Sequence, residues 1–293
     1  MMRILLVGTS GQVGHELQRT LAPLGEVHGC DFPELDLADA GAVSALCRDV
    51  RPALIVNAAA YTAVDRAESE PAVAMAVNGT APGVLAGEAR RLDAVLVHYS
   101  TEYVFDGAKR SPYLEADAAA PLNAYGRSKL AGDLAIAESG CKHLIFRTTW
   151  VYGPRGRNFL LTMLSLAAGR DELRVVADQR GAPTSSLFLA EATARAIRSI
   201  PRRGVASGIY NLSAAGETTW AGFANAIFQR AAASRPGFRS PRVVPIETSA
   251  YPTPARRPAY SVLSHRKFEA AFGFAPTRWE DQLDDCFRRL PPA

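Results

Sequence analysis

The first half of the chain alternates two hydrophobic rhythms. Unbroken apolar runs at Arg3 to Gly8, Val27 to Cys30, Ala53 to Asn57, Ala94 to Ser100 and His143 to Thr148 read as strands buried on both faces. Between them, Gln12 to Ala22, Ala40 to Val50, Pro71 to Arg91 and Tyr125 to Ser139 read as helices. Strands alternating with helices build β-α-β units, and right-handed crossovers assemble those units into an α/β fold with a doubly wound parallel sheet. Any ligand crevice then lies at the carboxyl ends of the strands. After Trp150 the regularity breaks, with turn signals at Gly153-Pro154, Ala182-Pro183, Arg235-Pro236-Gly237 and Tyr251-Pro252-Thr253-Pro254. Residues 1–149 are therefore expected to form the sheet domain, and 150–293 mainly a smaller α/β domain. The helical stretch Ser186 to Ser199 is expected to return to the sheet, which interleaves the boundary.

Composition narrows this picture without changing it. A chain of 293 residues with 48% hydrophobic content can bury a full core. Its apolar runs fall far short of the roughly 20 residues a membrane span needs, and the opening MMRILLVG leads straight into a strand, so a cytoplasmic protein without membrane contact is expected. Cys30, Cys47, Cys141 and Cys286 lack metal-ligand spacing and fit small buried hydrophobes in a reducing compartment. The five histidines show no paired spacing either, which argues against a catalytic metal. A net charge of +4, with basic residues scattered among acids, gives no stripe for nucleic acid. An anionic small molecule met by a few arginines suits it better.

The chemistry starts at the first strand-to-helix turn, Gly8-Thr9-Ser10-Gly11-Gln12-Val13-Gly14. Its glycines allow a tight turn and close approach of the backbone to a pyrophosphate, and the helix amino terminus offers free amides to that anion. This marks a Rossmann-type dinucleotide site. Asp31 ends the second strand, where an acid takes the adenosine ribose hydroxyls, a placement that leans towards NADH over NADPH. Asp36-Leu37 follows, and Asn57-Ala58-Ala59-Ala60 ends the third strand with side chains small enough for a flat group to lie on the backbone.

Tyr125 and Lys129 open the helix that follows the fourth strand. Spaced four apart they share a helix face, and an ammonium beside a phenol is expected to lower its pKa towards a range useful for general acid catalysis. Thr101, at the end of the fourth strand, can hydrogen-bond a substrate carbonyl beside that pair. Trp220 follows Thr218-Thr219, a threonine cap, and core packing accounts for it.

Together these residues resemble the extended short-chain dehydrogenase/reductase family, and more closely its dTDP-4-dehydrorhamnose reductase branch. Supporting stretches are VGTSGQVGHEL, VNAAAYTAVD, HYSTEYVF, PLNAYGRSKLA, FRTTWVY, DQRGAPT and SAYPTPARRP. The resemblance implies hydride transfer from NADPH or NADH to the C4 ketone of dTDP-4-dehydro-L-rhamnose, a step in nucleotide-sugar supply for cell-surface polysaccharide. It implies Tyr125 as proton donor, Lys129 on the nicotinamide ribose, Thr101 on the ketone, and Glu102 and Trp150 on the sugar. By the same matching, Ser10, Gly11, Gln12, Asp31, Asp36, Leu37, Ala59 and Ala60 contact the cofactor, and Arg257 is available for the pyrophosphate. It also leaves open Mg2+ held by Glu16 and Glu191 at a homodimer interface, although solvated helix acids are the simpler reading of both. Two positions depart from the branch: Glu102 stands where Asp is usual, and Tyr260 where Asn is usual. A related 4-epimerase or 4,6-dehydratase, or a non-catalytic regulatory subunit, remains an alternative.

Overall fold

The computed structural model describes residues 1–203 and 206–291. In chain order the first half runs β1 (Arg3–Val7), α1 (Gln12–Leu21), β2 (Glu26–Cys30), α2 (Ala40–Val50), β3 (Leu54–Asn57), α3 (Pro71–Met75), α4 (Ala81–Arg91), β4 (Val95–Thr101), α5 (Ala124–Glu138) and β5 (Lys142–Thr148). The second half runs β6 (Val151–Tyr152), α6 (Phe159–Ala167), β7 (Glu172–Val176), β8 (Arg180–Gly181), β9 (Thr184–Ser185), α7 (Ser186–Arg203), β10 (Gly208–Asn211), β11 (Thr218–Thr219), α8 (Trp220–Ser234), β12 (Arg242–Ile246), α9 (Arg266–Phe272) and α10 (Trp279–Arg289).

The main sheet has six strands in the order β10-β5-β4-β3-β1-β2, all parallel. Side chains alternate across it. Ile4 and Leu6 of β1 point into one apolar layer with Leu17, Leu21, Leu189 and Phe268, from α1, α7 and α9. Leu5 and Val7 point into the opposite layer with Val43, Leu85 and Ile136, from α2, α4 and α5. Both faces are covered, which is why the strands read as unbroken apolar runs. The strand order reverses between β1 and β3, and that switch point opens the crevice at their carboxyl ends.

A third apolar cluster, with Tyr152, Leu160, Phe223, Ile227, Trp279 and Leu283, joins α6, α8 and α10 beside the parallel pair β7 and β12. The chain does not stay there. α7 packs on α1, and β10 adds the sixth strand of the main sheet beside β5.

Two features differ from the sequence pattern. β10 was not expected, because Gly208-Ile209-Tyr210-Asn211 shows no unbroken apolar run of the kind that marks β3. The expected single helix from Pro71 to Arg91 is interrupted by a π-type widening at Ala76–Thr80. Asn78 in that widened turn accepts from the Tyr61 amide at 2.9 Å and donates to the Tyr61 carbonyl at 2.9 Å and to Ser128 Oγ at 3.1 Å. The bulge thus ties the loop after β3 to α5, one residue from Lys129.

Candidate active site

The turn after β1 is built by close approach. Gly8 has φ of +92°, and a Cβ there would come within 2.5 Å of the Ala59 nitrogen. A Cβ on Gly14 would fall 1.8 Å from the Gly8 carbonyl oxygen, so α1 reaches the strand only without a side chain. Gly11 caps α1 with no side-chain hydrogen bond, which leaves the first amides of the helix for an anion. Ser10 and Gly11 are exposed, while Val13 is half-buried against the core. Gln12 accepts from Asn158 Nδ2 at 2.8 Å and so fastens this turn to the start of α6.

Asp31 accepts the Ser10 amide on Oδ2 at 2.6 Å and the Phe32 amide on Oδ1 at 2.8 Å. Burial pulls its pKa up, but hydrogen bonding by the Ser10 side chain and by the Ser10 and Phe32 amides outweighs it and holds the carboxyl below its ordinary value. It is therefore ionised beside the glycine turn. Asp36 is exposed and accepts the Ala38 amide, whereas Leu37 is buried in the layer under β1. Ala59 and Ala60 are half-buried just after β3, and the Ala59 backbone lies against Gly8.

α5 begins at Asn123, whose side chain accepts the Gly126 amide at 2.8 Å while donating to the Arg256 carbonyl at 2.8 Å. That double anchor fixes the first turn and, with it, Tyr125. The Tyr125 ring meets Tyr103 edge-on, with centroids 5.5 Å apart. The pKa lowering expected at Tyr125 is not what this environment produces. Burial raises it, and the Glu102 carboxyl adds to the rise, while Thr101 opposes it through a hydrogen bond. Lys129 is itself pushed down to about 8 by burial, despite the opposing field of Asp133. Its Nζ donates to the Tyr99 carbonyl at 2.5 Å and lies 3.3 Å from His98 Nε2.

Thr101 ends β4 and donates its hydroxyl to Glu102 Oε2 at 2.7 Å, and Thr149 donates to Oε1 at 3.0 Å. Burial raises the Glu102 carboxyl to about 7 even though these hydroxyls and backbone amides favour its charge. Behind it, Asp133 takes Ser100 Oγ at 2.9 Å and Arg147 Nε at 3.2 Å in a fully enclosed pair.

Trp150 sits in the left-handed region at φ +48°. Its ring stacks on Trp220 at 3.6 Å and 10°, with the bare face of Gly181 against its edge. Trp220 is thus no ordinary core residue. It is half-buried, donates to Gln179 Oε1 at 3.1 Å, and lines a cavity of about 850 Å³ together with Gln179, Phe159, Val176, Tyr251 and Arg257. The sequence pattern assigned Trp220 to core packing and gave Gln179 no role. Only Gln179 carried a signal, as part of DQRGAPT. Arg257 is paired with Asp65 at 3.0 Å and donates to Thr253 Oγ1 at 2.6 Å, so it is a held side chain at the cavity rim. Tyr260 donates to Glu217 at 3.2 Å.

Glu16 and Glu191 share Arg19 as an ionic partner. Arg19 lies 3.9 Å from Glu16 and 3.2 Å from Glu191, and Arg289 lies 3.6 Å from Glu191. Among the described residues no group of three or more His, Cys, Asp or Glu is placed to hold a metal, and no helix is long and apolar enough to cross a membrane.

A glycine turn at the switch point, facing a helix that carries a tyrosine and a lysine one turn apart, defines a class: the nicotinamide-dependent oxidoreductases of extended short-chain dehydrogenase/reductase type. Within it, the model of a family described as RmlD substrate binding domain matches residues 2–291, and this chain belongs to that family. A dTDP-4-dehydrorhamnose reductase of Burkholderia thailandensis is 50% identical over 295 residues, covering 99% of each chain. The crystal structure of a dTDP-4-dehydrorhamnose reductase from Clostridium acetobutylicum superposes with a TM-score of 0.90 at 35% identity, covering 98% of this chain and 99% of that one. One from Bacillus anthracis, in complex with NADP, has a TM-score of 0.90 at 34% identity and the same coverage.

Proposed function

We propose that this protein reduces dTDP-4-dehydro-L-rhamnose to dTDP-L-rhamnose at the expense of NADPH or NADH. The observation that carries this reading is the cluster of buried Thr101, Glu102 and Lys129 with the half-buried Tyr125, in a chain that also carries the glycine turn and a cavity walled by Trp220 and Arg257. Residues 1–149 hold the cofactor and 150–293 mainly hold the substrate. The glycine turn from Gly8 to Gly14 takes the pyrophosphate, Asp31 the adenosine ribose, and Ala59 and Ala60 the backbone side of the cofactor. The nicotinamide supplies the hydride; everything else comes from the chain.

The C4 oxygen gains negative charge as the ketone is reduced, and Tyr125 gives it a proton. A phenol whose pKa is raised by burial is fully protonated at neutral pH, as a proton donor must be at the start. Lys129 takes the nicotinamide ribose and, when charged, stabilises the phenolate left behind. Thr101 orients the ketone, Glu102 and Trp150 meet the sugar, and Arg257 turns from Asp65 to the diphosphate. The carboxylate of Asp31 repels a 2′-phosphate, so NADH is the better partner of the two while NADPH is still accepted.

The test is spectrophotometric. Each nicotinamide should be oxidised one-for-one with added dTDP-4-dehydro-L-rhamnose, a stoichiometry that an epimerase, which regenerates its cofactor, does not give. Tyr125→Phe should cut turnover by about 100-fold or more while NAD(P)H still binds. A variant that reduces the sugar at the parent rate would overturn the assignment.

A further inference from the structure

Behind Lys129 runs a buried hydrogen-bond chain whose direction is fixed at one end. The Ala59 amide donates to Asn57 Oδ1 at 3.2 Å, which leaves Asn57 Nδ2 facing His98 Nδ1 at 3.1 Å. An amide NH2 donates and does not accept, so His98 Nδ1 is the bare, accepting nitrogen and Nε2 carries the proton. That Nε2 is the atom 3.3 Å from Lys129 Nζ. Asn57, His98 and Lys129 are all at most 2% exposed.

The alternatives each leave two donors face to face. Turning the Asn57 amide sets its NH2 against the Ala59 N–H. Protonating His98 sets Nδ1–H against Asn57 Nδ2, and burial, with the Lys129 charge second, drives the imidazole well below its ordinary value. An N–H aimed at an ammonium has nothing to donate to, whereas the same N–H aimed at an amine meets a lone pair.

We propose that His98, oriented through Asn57, is a positioning residue that presents an N–H to Lys129, favours the neutral amine, and so sets the upper pH limit at which this lysine carries charge. The kinetic consequence rests on the reading of Tyr125 and Lys129 as the catalytic pair. The other groups around Lys129 bear on the same balance. Asp133, one turn further along α5, favours the charge, but Arg147 from β5 is bound to that carboxylate. Tyr125 lies one turn before it. Glu102 stands beyond Thr101, and Glu68 is engaged by the Ala124 amide at 2.6 Å. The widened turn Ala76–Thr80 contributes no titratable side chain. His98 is thus the ionisable neighbour in direct contact with Nζ, and its tautomer decides which proton state that contact rewards.

Nitrogen-15 NMR of the full chain without cofactor reads the tautomer directly, with the His98 signals assigned by their loss in His98→Gln. The parent should show the Nε2–H form. Asn57→Asp should switch it to Nδ1–H, because a carboxylate accepts where the amide donated. Lys129 then faces an accepting nitrogen, and the alkaline limb of kcat/KM for ketone reduction should move up by about one pH unit or more. Placing His98→Leu beside Asn57→Asp should remove most of that movement. The Lys129 13Cε shift, followed against pH without cofactor, makes the same comparison if the chain proves not to reduce this ketone. An Nδ1–H tautomer in the parent overturns the proposal whatever turnover does, and so does an equal shift in the His98→Leu background, which would mean the aspartate acts by charge alone. Should His98→Leu not fold, the parent and Asn57→Asp tautomers still decide.

Discussion

Glu102 offers a measurement that needs neither substrate nor cofactor. Its carboxyl is 3% exposed and is raised from an ordinary 4.5 to about 7, burial being the main cause. Below pH 4.5 it is protonated in folded and unfolded chains alike, so its titration contributes no difference. As pH rises through 4.5 the unfolded chain releases this proton while the folded chain retains it until about 7. The folded state binds more protons across that window, so stability falls with rising pH. At about 1.4 kcal/mol per tenfold change in proton affinity, the full window is worth about 3 kcal/mol.

Glu102→Gln has no proton to lose, and its amide can still accept from one of Thr101 and Thr149 and donate to the oxygen of the other. Urea unfolding of parent and variant at pH 5 and pH 8 isolates the effect, since every other titration is common to both and cancels. The stability of the variant relative to the parent should rise by most of that 3 kcal/mol between the two pH values. A relative stability that changes by less than about 1 kcal/mol, or in the opposite direction, would refute a carboxyl whose charge is penalised by burial.

Two further outcomes follow from single contacts. Asp31→Ala removes the carboxylate beside the glycine turn, and the ratio of kcat/KM for NADPH to that for NADH should rise about tenfold or more; an unchanged ratio sinks the role given to Asp31. Asp133→Ala leaves the guanidinium of Arg147 buried without its carboxylate, which should cost about 3–5 kcal/mol in chemical denaturation. A loss under about 1 kcal/mol would mean that water reaches Arg147.

What the sequence disclosed and what it hid divide along distance in the chain. β1 announced itself because Ile4 to Val7 are buried on one face or the other, and Gly8 and Gly14 because the turn they form is local. Tyr125 and Lys129 were legible for the same reason: one helical turn fixes their relation before any tertiary contact is made. Arg257 was expected to be available for a pyrophosphate, and only the structure shows that Asp65, far away in the chain, is paired with it. Trp220 reads as core until Trp150 is seen stacked on its face. Asn78 gave no signal, and His98 only that of standing in HYSTEYVF, because their importance lies in which donor meets which acceptor. A hydrophobic period carries no such information. The widening at Ala76–Thr80 is the same case in the backbone: helix propensity runs through it, and the hydrogen bonds of Asn78 favour the wider turn.

Burial, acting on opposite charges, brings the two sides of the site to the same place on the pH scale. It lowers Lys129 to about 8 and raises Glu102 to about 7, so both groups exchange protons near neutrality where neither does in water. Thr101, bonded to Glu102, has a single hydroxyl hydrogen. In the structure that hydrogen goes to Glu102, and a hydroxyl cannot donate it a second time to a ketone. A protonated Glu102 changes this, because it can donate to Thr101 and leave the threonine hydrogen free to turn towards the substrate. The carboxyl at this position therefore governs which way the Thr101 hydroxyl points, and with it, on the roles proposed for Thr101 and Tyr125, how the ketone is held. A shorter aspartate at the same place reaches one methylene less far into the enclosure. The glutamate and its displaced proton equilibrium are thus parts of one arrangement, which the pH dependence of Glu102→Gln addresses directly.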